Sequence, residues 1–114
     1  WREWKRVIHK KDWKAGLENQ RGVYLITDVQ TGKRYVGSAY GQSMLWGRWI
    51  NYLETGHGGS KELKKLDLDY IKENFRYSVL DIYKSTTDDK TIIQREHHWM
   101  RVLLSRDPRF GYNY

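Results

Sequence analysis

Gly22-Val23-Tyr24-Leu25-Ile26-Thr27-Asp28-Val29-Gln30-Thr31-Gly32-Lys33-Arg34-Tyr35-Val36-Gly37 is the stretch from which the fold is read. Two tripeptides, Gly22-Val23-Tyr24 and Tyr35-Val36-Gly37, flank a turn-forming Thr31-Gly32-Lys33, and the residues between alternate as in a half-buried hairpin. Val23, Leu25 and Thr27 share one phase. Tyr24, Ile26 and Asp28 share the other, and Tyr35 returns on the second strand, so both phenols are expected to face a common cleft. A plain aromatic cross-strand pair needs no glycine at either end. The glycines therefore suggest close approach by something large.

Downstream, Trp46, Trp49, Ile50 and Leu53 recur at helical spacing, and Gly56 closes the stretch. Ser60 is the expected N-cap of a shorter helix running through Leu66. Residues 70–74 fit either state. Phe75, Tyr77 and Val79 alternate with Arg76 and Ser78 and lead into a third strand ending near Tyr83. Thr86-Thr87-Asp88-Asp89 supplies capping oxygens and negative charge for a helix reaching about Leu104, before Pro108 forbids continuation.

One position on that last helix stands out. Ile92, Glu96, Trp99 and Leu103 share its apolar stripe, so periodicity puts a carboxylate on the inside. Such a group is costly unless it meets a cation or hydrogen-bond donors. A structural ion pair with Arg95 or Arg101 is the alternative to a functional role. Upstream, Trp1 to Asn19 sets Trp1, Trp4, Val7, Ile8, Trp13 and Leu17 among basic residues, a pattern compatible with a short helix or a lid against the sheet.

The 114 residues suffice for one compact domain. Twenty-one Lys and Arg against 14 Asp and Glu give a formal charge of +7 and a pI near 9.6, which favours an anionic partner, nucleic acid first. Six Trp and nine Tyr leave rings over for a surface on which bases could stack. The absence of cysteine excludes disulfides and thiolate metal sites. No apolar run approaches the roughly 20 residues of a membrane span, and no leader precedes Trp1, so a cytoplasmic protein is expected. A start at Trp instead of Met suggests a piece of something longer.

Taken together, Gly22-Val23-Tyr24, Tyr35-Val36-Gly37-Ser38, Gly47-Arg48-Trp49, Arg95-Glu96 and Gly111-Tyr112-Asn113 stand in an order and rough spacing that resembles the GIY-YIG endonuclease domain. The resemblance covers the chain from about Arg21 to its end. It implies an α+β fold in which a small three-stranded antiparallel sheet is flanked by helices. Residues 21–114 would form the nuclease-like domain, and residues 1–20 a basic, aromatic N-terminal extension.

The resemblance also implies site residues. Tyr24 and Tyr35 match the motif tyrosines, Arg48 the arginine of the first helix, Glu96 the metal-binding glutamate and Asn113 the late asparagine. Glu96 would hold one Mg²⁺ or Mn²⁺, a hard cation that can be bound through a single protein carboxylate plus substrate phosphate. Arg48 would clamp phosphate oxygens with a planar fork that keeps its proton. Tyr24 is the candidate general base. A free phenol titrates near about 10, so Tyr24 must either be lowered by a nearby cation or act as a hydrogen-bonding relay for water. Tyr35 would share the water or position the phosphate, and Asn113 would orient a tyrosine or backbone near the cleft.

His57 and Lys33 are expected in supporting roles, and Arg34, Ser38, Arg48 and Tyr52 as DNA contacts. The pattern departs from the family in two places. Some relatives carry a histidine one turn after the helix arginine, where this chain has Tyr52, and some a lysine where it has Ser38. His97 and His98 follow Glu96, but neighbours on a helix point about 100° apart, and neither is expected to be a ligand. The expected function is a metal-dependent endonuclease acting on DNA, with the double-stranded form as its expected target, within a longer protein. The alternatives are a nucleic-acid-binding module of the same fold that has lost cleavage, and an interaction domain for an acidic protein.

Overall fold

The computed structural model describes residues 18–40, 44–58 and 60–114. The helix or lid expected over Trp1 to Asn19 lies, up to residue 17, outside the described residues, and Gln20 already belongs to the first strand. In chain order the elements are β1 (Gln20–Asp28), β2 (Arg34–Ala39), α1 (Leu45–Thr55), a 3-10 turn (Leu63–Lys65), α2 (Leu68–Asn74), β3 (Phe75–Lys84) and α3 (Asp89–Leu103). The three strands form one antiparallel sheet in the order β2-β1-β3. This is the α+β arrangement expected from the sequence.

The hairpin closes through Thr31-Gly32-Lys33. Asp28 N–H donates to the Lys33 carbonyl at 2.9 Å, and Gly32, at φ 77°, takes a conformation that a side chain would strain. Tyr24 then pairs with Gly37 and Ile26 with Tyr35, so both tyrosines share a face of the sheet.

As the central strand, β1 is buried on both sides, which explains its continuous apolar run Val23–Ile26. On one face Tyr24 and Ile26 join Leu45, Trp49 and Tyr52 of α1, Leu63, Ile71 of α2, and Phe75 and Tyr77 of β3. On the other face Val23 and Val36 pack against Ile92 and Met100 of α3. The sheet is thus sandwiched between α1 with α2 on one side and α3 on the other.

Two helix ends follow capping chemistry, the close of α1 and the start of α3. Gly56 terminates α1 in the left-handed region, at φ 78°, its N–H donating to the Tyr52 carbonyl. The buried stripe of α1 runs through Leu45, Trp49 and Tyr52, with Trp46 and Ile50 only half-buried, so the inward face is rotated from the expected one and Arg48 stands on its margin. Ser60 Oγ accepts from Leu63 N–H at 3.4 Å, but only a 3-10 turn results, and the residue at its N-cap is Glu62. The helix forms later, as α2, over residues whose pattern decided nothing. Asp88 caps α3 by accepting from Thr91 N–H at 2.8 Å.

Beyond α3 the chain returns to β2. Arg34 N–H donates to the Phe110 carbonyl at 3.0 Å, and Tyr112 N–H to the Arg34 carbonyl at 2.9 Å, so the tail runs parallel to the free edge of β2. A Cβ at Gly111 would collide with the Ser105 backbone and the Arg34 carbonyl, which restricts this position to glycine. Among the described residues no helix is long and apolar enough to cross a membrane.

Candidate active site

Because β2 is an edge strand, side chains from both faces of the sheet meet around it. Tyr24 and Tyr35 come from the α1 face, whereas Ser38, opposite Val23, belongs to the α3 face with Glu96. A cavity of about 190 Å³ unites them, lined by Tyr24, Tyr35, Gly37, Ser38, Tyr40, Arg48, Glu96 and Asn113 with Val36 and Met100. All five residues suggested by the resemblance therefore face one space.

Gly37 is what lets Tyr24 take its place. A Cβ there would overlap the far end of the Tyr24 ring and its hydroxyl. Gly22 has a comparable cause, since a Cβ would collide with the Asp81 carbonyl where β1 and β3 shift register. Both glycines thus serve contacts inside the chain. The large partner that the sequence suggested is, for these two positions, the protein itself.

The Tyr24 hydroxyl lies 2.9 Å from that of Tyr52, and its ring stacks on Tyr77 at 5.1 Å. Burial pushes the Tyr24 phenol well above its ordinary range, with the Tyr52 hydrogen bond and the Arg48 charge pulling in the opposite direction. The chain's own groups leave Tyr24 neutral at ordinary pH. Tyr52 is 2% exposed, so the DNA contact expected of it is corrected: its hydroxyl serves Tyr24 within the core. The place of Tyr52 one turn after Arg48 was the sequence signal for that role.

Glu96 accepts from the Ser38 hydroxyl. The structural ion pair considered for it is not formed with Arg95, which turns to Asp81 at 3.2 Å. On the far wall, Arg48 Nε is buried and has no hydrogen-bond partner among the described residues. Asn113 grips the edge strand with both amide atoms. Its Oδ1 accepts from Val36 N–H at 2.7 Å and its Nδ2 donates to the Val36 carbonyl at 2.9 Å, between Tyr35 and Gly37.

The other expected residues sit elsewhere. Lys33 lies 5.4 Å over the Tyr112 ring, the Arg34 side chain is exposed, and His57 occupies the loop after α1; none of the three lines the cavity. No group of three or more His, Cys, Asp or Glu side chains is arranged to hold a metal among the described residues. What the cavity offers a cation is one carboxylate beside hydroxyl oxygens. That donor set suits a hard ion that retains most of its water.

Two solved structures share this architecture. The catalytic domain of the homing endonuclease I-TevI is 30% identical, with a TM-score of 0.57 over 81% of this chain and 95% of that one. A glutamate-to-alanine variant of the catalytic domain of the intron endonuclease I-TevI is 29% identical, with a TM-score of 0.59 over 82% and 92%. No family model matches the chain, and no curated protein does. Sheet, helices and likeness define a small α+β nuclease domain. The chain belongs to the GIY-YIG endonuclease family.

Proposed function

We propose that this domain hydrolyses phosphodiester bonds of duplex DNA with the help of a divalent cation. The observation that carries the reading is the convergence of Tyr24, Tyr35, Arg48, Glu96 and Asn113 on one cavity. DNA as partner is supported by the +7 charge and by the homing endonuclease neighbours, and the same reading takes the domain to act in the cytoplasm.

Glu96 would hold Mg²⁺ or Mn²⁺ through a carboxylate oxygen, while the Ser38 hydroxyl fixes the group's orientation. Bound there, the ion would offset negative charge on the phosphate and the departing 3′ oxygen. Arg48 supplies the second positive group. A charged N–H left without an acceptor in a cavity wall is costly, and a phosphate oxygen would satisfy it. The guanidinium fork would then grip non-bridging oxygens as their charge grows.

Of the two roles open to Tyr24, its burial favours the relay. If the Tyr52 hydroxyl is the donor of the pair, the Tyr24 oxygen keeps one lone pair and one proton to orient the attacking water. Tyr35, on the same face, would position that water or the phosphate. Asn113 keeps the strand between Tyr35 and Gly37 in register.

Supercoiled plasmid incubated with Mg²⁺, Mn²⁺ or EDTA tests the reading. Nicking in the first two and none in the third is expected. Duplex binding without nicking would favour the alternative of a binding module that has lost cleavage.

A further inference from the structure

Asp28 is fully buried, and no cation pairs with it among the described residues. A carboxylate in such a place is costly unless donors surround it, and an apolar residue would suit the core better. Donors come from three separate segments. Gln30 N–H, at 3.0 Å, belongs to the β1–β2 turn. The Tyr70 hydroxyl, at 2.7 Å from Oδ2, comes from α2. The Tyr112 hydroxyl, at 2.6 Å from Oδ2, comes from the tail.

The tail contact leads to the cavity. Tyr112 is held at its ring end by Asp28 and at its backbone N–H by the Arg34 carbonyl. The next residue is Asn113, whose amide grips Val36 on both sides. Val36 sits between Tyr35 and Gly37, and Gly37 lies under Tyr24. The anchor of the Tyr112 ring on Asp28 and the grip of Asn113 on Val36 thus lie on adjacent residues, beside the strand that carries Tyr35 and Gly37.

We propose that Asp28 is a positioning residue for the nuclease site, setting the β2 edge through Tyr112 and Asn113 without touching substrate. The inference rests on the proposed nuclease function, and its test separates the two. Tyr112→Phe keeps the ring beside Phe75 and deletes only the hydroxyl. Tyr70→Phe deletes a hydrogen bond of the same kind to the same carboxylate, but on α2, away from the tail.

For each variant, amide exchange at Val36, melting temperature, and kcat and KM on duplex DNA are measured. Tyr112→Phe should lower Val36 protection and kcat by about tenfold each, with KM within about twofold of wild type. Tyr70→Phe should lose similar thermal stability yet keep Val36 protection and kcat within about twofold. Equal behaviour of the two variants at Val36 and in kcat would overturn the proposal and leave Asp28 as a core hydrogen-bond acceptor. If the wild-type chain cuts no DNA, the nuclease reading falls, and exchange at Val36 still decides whether Asp28 sets the strand.

Discussion

The hydroxyl groups of Tyr24 and Tyr52 lie 2.9 Å apart inside the aromatic layer under the sheet, each on a side chain 2% exposed. One of the two protons must therefore be left over to point elsewhere. If Tyr52 donates, Tyr24 faces the cavity with its own proton and a lone pair. Tyr52→Phe removes that donor while keeping the ring in its edge contacts with Tyr24 and Tyr77. We expect a stability loss of about 1 kcal/mol and a fall in single-turnover cleavage of about tenfold or more. Thermal melting and cleavage kinetics on one preparation check both halves.

The buried phenols also set an alkaline limit. Burial raises Tyr24, Tyr52, Tyr77 and Tyr112 above the ordinary tyrosine range. In the unfolded chain they would titrate near about 10. Below that pH both states hold the protons and the stabilisation is complete. Above it the unfolded chain releases protons that the folded one retains, so stability falls as pH rises, by up to about 1.4 kcal/mol per unit for each tyrosine. Melting temperature should be flat from pH 7 to about 9 and drop steeply above about 10. Tyr77→Phe, which lacks one of these groups, should soften the drop.

Two glycines should respond in opposite ways to the same change. At Gly37 an added methyl meets the Tyr24 ring, which is itself packed against Tyr77 and Tyr52, so Gly37→Ala should cost about 1–3 kcal/mol and displace the phenol from the cavity. Gly47 sits exposed in α1, where an added Cβ would meet no neighbouring side chain within 4 Å, and Gly47→Ala should stabilise by about 0.5–1 kcal/mol. Chemical denaturation of both variants measures the contrast.

Much of the fold was legible in the chain. The hairpin, the third strand, the stop at Gly56, a cap within residues 86–89 and the sheet-facing, half-buried place of Glu96 each follow from local spacing and local chemistry. The central position of β1 was not read from the sequence, although the run Val23–Ile26 carried a signal of burial on both faces. What the sequence left hidden depends on distant partners. Tyr52 read as a surface contact because its hydrogen bond goes to a residue 28 positions away. Gly22 and Gly37 read as openings for a ligand because the atoms they accommodate, the Asp81 carbonyl oxygen and the Tyr24 ring, are fixed by sheet register. The grip of Asn113 on Val36 spans 77 positions and has no periodicity to betray it.

Arg48 offers a test of geometry against charge. Arg48→Lys keeps the positive group at the cavity wall and loses the fork that meets two phosphate oxygens together. Duplex affinity should change less than about threefold, while cleavage slows by about tenfold or more. Rates near wild type would make Arg48 a general source of positive potential and nothing finer.

On the proposed function, it is Glu96 that makes the cavity a cation-dependent nuclease centre, and its removal is the decisive comparison. Supercoiled plasmid is treated with wild type and with Glu96→Ala, each with Mg²⁺ and with EDTA, alongside a duplex-binding titration. Wild type should nick only with Mg²⁺, and Glu96→Ala should bind duplex within a few-fold of wild type while nicking at least about a hundredfold more slowly. Mg²⁺-dependent nicking by Glu96→Ala at the wild-type rate would refute the role given to this carboxylate.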